Sequence, residues 1–206
     1  MEGDDIKKNR CACKVLFPLY AALGKAEDVG RIWKVCEANP PHLMECLAAI
    51  EAWGKLGHVE NAEEVFDNML KTRKNLSSEC YNALLKVYTN HKLLSKGKEL
   101  AKRMSDAGCS IGPSTRDALV KLYVEAGELA KADSILQKVA QWNLVMPLYS
   151  SYMAMLDQYS KRGDIHNAEK IFHRMKADNV FPNKQMTAQL KAIDPFKKTH
   201  ASELFD

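Results

Sequence analysis

Tyr159-Ser160-Lys161-Arg162-Gly163-Asp164-Ile165 has four counterparts upstream: Leu23-Gly24-Lys25-Ala26-Glu27-Asp28-Val29, Trp53-Gly54-Lys55-Leu56-Gly57-His58-Val59, Tyr88-Thr89-Asn90-His91-Lys92-Leu93-Leu94 and Tyr123-Val124-Glu125-Ala126-Gly127-Glu128-Leu129. Their first residues, taken as anchors, lie 30, 35, 35 and 36 positions apart. Self-similarity at such a period is the signature of a helical repeat array, in which each unit buries its apolar face only against its neighbours.

The register extends beyond the anchors. Six positions on stand Val29, Val59, Leu94, Leu129 and Ile165; nine on, Ile32, Ala62, Gly97, Ala132 and Ala168; twelve on, Val35, Val65, Leu100, Ile135 and Ile171. Sixteen on, the last four units carry Met69, Met104, Val139 and Met175. These offsets trace one face of a helix that follows the anchor, with small residues where two backbones approach closely. A first helix runs up to the anchor, as Tyr81, Leu84, Leu85 and Tyr88 show, and likewise Tyr152, Met155, Leu156 and Tyr159. Gly57, Gly127 and Gly163 mark the turn between the two helices, where a left-handed backbone favours glycine. The first unit is about five residues short and has Glu27 at that place.

Proline sits beside the junctions Asn39-Pro40-Pro41, Gly112-Pro113, Met146-Pro147 and Pro182-Asn183, stopping one helix and opening the next. The expected fold is all-α, a solenoid of two-helix units at 13–42, 43–77, 78–112, 113–148 and 149–183. Residues 1–12 form a polar lead-in. A capping helix over Gln185–Ile193 and a tail complete residues 184–206.

Composition agrees with helix and narrows the function. Of 206 residues 46% are apolar, enough for a continuous core, and no run of eighteen apolar residues suits a membrane span. Met1 to Arg10 is polar and mixed in charge, unlike a secretory signal or an arginine-rich presequence. The six cysteines, at 11, 13, 36, 46, 80 and 109, lack the paired Cys-x2-Cys spacing of a structural zinc site and read as packing residues in a reducing compartment. No metal or cofactor is expected. Histidines are scattered, and there is no His-Glu-x-x-His motif or glycine-rich phosphate loop, so no enzyme activity is expected either. A net charge of +4 permits an anionic partner.

Tyr81-Asn82-Ala83-Leu84-Leu85-Lys86-Val87-Tyr88, followed by Ala101-Lys102-Arg103-Met104, closely resembles a pentatricopeptide repeat. So does the stretch from Ser151-Tyr152-Met153 through Gly163-Asp164-Ile165-His166-Asn167-Ala168-Glu169-Lys170-Ile171-Phe172-His173-Arg174-Met175 to Val180-Phe181-Pro182-Asn183. The likeness covers residues 13–183 and is closest to the plant mitochondrial members built of simple repeats without catalytic modules. In those members about one further repeat separates the stretch matching His173-Arg174-Met175 from that matching Ala177 to Asn183, and this chain lacks it.

The resemblance implies a right-handed superhelix whose first helices line a concave face, and single-stranded RNA binding in mitochondria, or alternatively chloroplasts. It implies base reading by the residue six before each anchor together with the last residue of the unit: Phe17 with His42, Leu47 with Ser77, Asn82 with Gly112, Asp117 with Leu148, Met153 with Asn183. Leu47, Gly112, Leu148 and Met153 offer no side-chain donor or acceptor, and Asn82, then Asn183 and Asp117, are the base-facing candidates. Lys14, Lys86, Arg116 and Lys121 are the expected phosphate contacts, acting through charge. Lys96, Lys98, Lys102 and Arg103 belong to a second helix and read as a solvated outer face. The expected function is RNA binding in organellar transcript processing, stability, editing or ribosome-associated expression. The alternative is a non-catalytic scaffold that holds a protein partner in an RNA-processing or ribosomal complex.

Overall fold

A computed structural model describes residues 12–73, 75–141 and 148–181, together with 183, 184 and 188. All regular structure among them is helical: α1 Cys13–Ala22, α2 Ala26–Glu37, α3 Leu43–Leu56, α4 Val59–Thr72, α5 Ser78–Asn90, α6 Leu94–Asp106, α7 Pro113–Glu125, α8 Leu129–Gln141, α9 Tyr149–Lys161 and α10 Ile165–Ala177. Consecutive helices pair across short turns, and the pairs stack, as in an α-solenoid. The chain divides into two compact bodies, Met1–Ile111 with α1 to α6 and Gly112–Asp206 with α7 to α10. The expected capping helix over Gln185–Ile193 and the Met146-Pro147 junction lie outside the described residues.

In the N-terminal body the first helices pack on one another, α1 on α3 and α3 on α5, while α2 and α4 each also lean on the first helix of the next pair. That position between layers explains why α3 is buried on several sides, through Cys46, Leu47, Ala49, Ile50, Ala52, Trp53 and Gly54. The second helices bury one stripe each. In α4 it is Val59, Ala62, Val65, Phe66 and Met69, and in α6 Gly97, Leu100, Ala101 and Met104. The C-terminal body repeats the scheme around Tyr152, Met155, Leu156, Ile171, Phe172 and Met175. Full burial of each large apolar side chain contributes about 1.5–3 kcal/mol, so these stripes outweigh the modest helix propensity of the segments. The side chain of Val139, expected on the same stripe, lies outside the described residues.

The turns follow one rule. The backbone is left-handed at Gly24, Gly57, Lys92, Gly127 and Gly163, with φ of 71°, 83°, 58°, 78° and 66°. Glycine satisfies the rule four times, and in the third pair Lys92 adopts the conformation without it. These residues correct the register of the first unit. Gly24, and not Glu27, is the counterpart of Gly57, so the residue matching Trp53 is Tyr20, and Leu23 is the C-cap of a shorter helix. Counted this way the first two turn residues lie 33 positions apart, and the first unit is two residues short of 35. Val29, Ile32 and Cys36 then match Ala62, Val65 and Met69, all buried, whereas Val35 is only half-buried.

The helix ends are secured locally. Glu45 Oε2 accepts from the His42 backbone N–H at 2.8 Å, closing a capping box at α3. Asp164 accepts from the Asn167 side-chain amide at 2.7 Å and from the Asn167 backbone N–H at 3.1 Å at the start of α10, and these contacts hold its carboxyl below the usual carboxylate range. Pro18 inside α1 removes one hydrogen bond from the shortest of the helices.

Candidate nucleic-acid interface

Corrected for the register, the residues six before each helix-turn aromatic are Lys14, Leu47 and Asn82 in the N-terminal body and Asp117 and Met153 in the C-terminal body. Phe17 leaves this set. It is fully buried, on the line that continues as Ile50 and Leu85 in the later first helices. Leu47 is on the base-facing line but buried at 8% exposure, so it offers no polar group and little surface. Lys14, exposed, and Asn82, half-buried, remain as the polar members of the line in this body. One helical turn further on stand Glu51 and Lys86, also exposed. Lys86 Nζ lies 3.2 Å from Glu51 Oε1, so this cation is partly neutralised by the helix before it.

The same line in the C-terminal body is more committed to structure. Asp117 Oδ1 accepts from the Ser150 and Ser151 hydroxyls at 2.6 and 2.7 Å, and its Oδ2 accepts from Lys121 Nζ at 2.7 Å. The carboxylate thus ties α7 to the start of α9, and a base edge must compete with three donors for it. Arg116 and Met153 are half-buried, and Asp157 pairs with Lys161 at 2.6 Å. Asn183 is exposed, beside the phenol of Tyr149, which burial pushes above its ordinary pKa while Asn183 pulls it back.

On the second helices, the cations of α6 face the acids of α4. Lys96 Nζ sits 2.8 Å from Glu63 Oε1 and Arg103 3.7 Å from Asp67, and the Tyr88 hydroxyl donates to Glu63 at 2.7 Å. This network joins adjacent pairs. Burial, reinforced by the hydrogen bond to Glu63, raises the Tyr88 phenol far above its ordinary range.

One gathering has no trace in the sequence spacing. Cys13, Cys36 and Glu45, from three different helices, bring their donor atoms within 4.8 Å of one another, with the two sulfurs 3.2 Å apart. The three groups are buried, and Glu45 already serves the α3 cap. Cys46, a residue further on, is buried as well, and its thiol is pushed up to about 11 by that burial.

Comparison with known proteins fits this architecture. The family model described as the pentacotripeptide-repeat region of PRORP matches residues 36–195. Two mitochondrial pentatricopeptide repeat-containing proteins of Arabidopsis thaliana, At1g15480 and At1g80270, are 45% and 46% identical over alignments that take in the whole chain. The chain spans 40% of the length of each. Those alignments run over 239 residues against 206 here, a difference of 33, close to one repeat. The fold is similar to the crystal structure of the pentatricopeptide repeat protein PPR10 in complex with an 18-nt psaJ RNA element, with a TM-score of 0.75 and 19% identity, covering 93% of this chain and 28% of that one. It is also similar to the PPR domain of Arabidopsis thaliana protein-only RNase P 1 in complex with tRNA, with a TM-score of 0.61 and 22% identity over 71% of this chain and 77% of that one. The helix pairs, their common turn and the family match over most of the chain together show that this protein belongs to the pentatricopeptide-repeat family, built of simple P-type repeats.

Proposed function

We propose that this chain binds single-stranded RNA along its first helices and acts in mitochondrial transcript processing, stability, editing or ribosome-associated expression. The observation that carries the reading is the line of first-helix residues that stay accessible while the surrounding residues are buried: Lys14, Asn82 and Lys86 in one body, Lys121 in the other. Similar proteins supply the ligand class, since PPR10 is described with an RNA element and the RNase P domain with tRNA. The mitochondrial assignment follows the names of the Arabidopsis relatives, with the chloroplast as the alternative.

In this reading Asn82 and Asn183 meet base edges, Lys14, Lys86, Arg116 and Lys121 attract phosphates, and Asp117 acts mainly by holding α9 and Lys121 in place. Few polar readers give modest selectivity, because a good bidentate base contact discriminates by about 1–3 kcal/mol. A binding selection from randomised single-stranded RNA tests it. Enrichment of a motif of one to about three bases, altered by Asn82→Ala at one position, supports base reading; failure to retain RNA at low salt rejects it.

A second reading, a protein-holding scaffold, has one observation of its own. The large ribosomal subunit protein mL101 of Arabidopsis thaliana is 23% identical over 87% of this chain and 38% of its own length. Salt-insensitive association with a ribosomal protein, without RNA binding, favours that role.

A further inference from the structure

Among the described residues one group of side chains brings three metal-ligating atoms together. Cys13 opens α1, Cys36 is the penultimate residue of α2, and Glu45 stands in the first turn of α3. The three helices pack on one another within the N-terminal body. The two sulfurs are 3.2 Å apart, and all three donor atoms lie within 4.8 Å of one another. Cys13 is 0% exposed, Cys36 3% and Glu45 2%.

Packing accounts for two buried thiols but not for the acid beside them. Glu45 is the one charged side chain buried in the core among the described residues. Capping a helix does not require that burial, since Asp164 caps α10 while half-buried. The contact with the His42 N–H engages Oε2, one oxygen of a group able to accept about four hydrogen bonds. A carboxylate taken into the core is costly unless a cation compensates it.

The donor set selects the ion. Mg²⁺ and Ca²⁺ take oxygen ligands, whereas Zn²⁺ takes thiolate and carboxylate together. Tetrahedral bonds of about 2.3 Å to sulfur and about 2.0 Å to oxygen place the donors roughly 3.5–3.8 Å apart. The sulfurs therefore need to part by only about half an ångström. Both thiols stand at helix ends, where such an adjustment disturbs least backbone.

We propose that Cys13, Cys36 and Glu45 form a zinc site that clamps α1, α2 and α3, with water in the fourth position of the tetrahedron. Binding forms two Zn–S bonds and one Zn–O bond, and the thiol protons leave to solvent. The His42 N–H orients the carboxylate from behind, as outer-shell partners of metal ligands do. The ion pins the first turn of α1, which carries Lys14.

The test titrates the reduced, metal-free 206-residue chain with Zn²⁺ in competition with a chelator, and with Co²⁺ as a spectroscopic probe. One ion per chain is expected, with the visible bands of tetrahedral cobalt, sulfur-to-metal charge transfer, and a higher melting temperature. Cys13→Ala and Cys36→Ala each abolish the charge-transfer band, and Cys46→Ala leaves it unchanged. Glu45→Gln keeps an acceptor for the His42 N–H, because glutamine also serves at that capping-box position, yet lowers zinc affinity about tenfold or more. Failure of the reduced chain to bind one Zn²⁺ overturns the proposal. So do cobalt bands that survive the loss of Cys13 and Cys36, and equal affinity in the Glu45→Gln chain. If hydrogen peroxide joins Cys13 to Cys36 while the reduced chain binds no ion, the pair is a redox couple, and that result overturns the zinc site as well.

Discussion

Lys92 is the residue at which the chain departs from its own turn rule. An L-residue with φ of 58° carries a steric cost that glycine avoids. Lys92→Gly is expected to stabilise the protein by about 1 kcal/mol, read as a higher urea midpoint at unchanged slope. No gain in the midpoint contradicts a strained turn. On the candidate RNA-facing line the carboxylate of Glu51 holds Lys86. Glu51→Gln is expected to tighten binding of single-stranded RNA severalfold at low salt and to steepen its salt dependence. An unchanged affinity would mean that Lys86 does not meet phosphate. Residue roles were legible in the sequence where one physical requirement dominates, as at Gly57, Gly127 and Gly163. They were hidden where two residues far apart share a role. The serines that compete for the Asp117 carboxylate, Ser150 and Ser151, stand 33 and 34 positions away, and only the structure brings them to it.

At the scale of elements, the second helices were the easier part to read, because each buries a single stripe and the 3.6-residue period survives in the sequence. The first helices bury several faces, so their pattern is weaker, and in α1 the shortened end let Leu23 stand in for Tyr20. Close stacking of first helices yields a direct test. Gly54→Ala places a methyl group against Val87, and we expect overpacking to cost about 1–3 kcal/mol, measured by chemical unfolding. Stability unaffected by this change would show that α3 and α5 separate without penalty. Two tyrosines that join helices bear on stability at alkaline pH. Burial and acceptors on Glu63 and Asp178 raise the phenols of Tyr88 and Tyr152 above 10.0, their ordinary value. The stability this confers is fully present below that value and falls as pH rises past it toward the folded-state values. Tyr152→Phe should therefore flatten the loss of stability above about pH 10, and an equally steep loss would assign the alkaline transition elsewhere.

Across the molecule, stability should be graded within the N-terminal body. The α1–α2 pair has a shorter first helix, an internal proline and the exposed side chains Val15, Leu19 and Leu23, while α3 packs against both α1 and α5. Hydrogen exchange is expected to open α1 and α2 before α3 and α5. The repeat period made the stack of helix pairs legible from the sequence, but the line of accessible polar residues on the first helices emerged only once burial removed Phe17 and Leu47. The most direct measurement of whether that line holds RNA is the salt dependence of binding to randomised single-stranded RNA by the intact chain and by its Lys86→Ala/Lys121→Ala variant. With four phosphate contacts, log affinity should fall against log salt with a slope of about −3, shallower by about 1.4 in the variant, which removes two of them. Absence of binding at low salt, or an unchanged slope in the variant, would contradict RNA binding along that line.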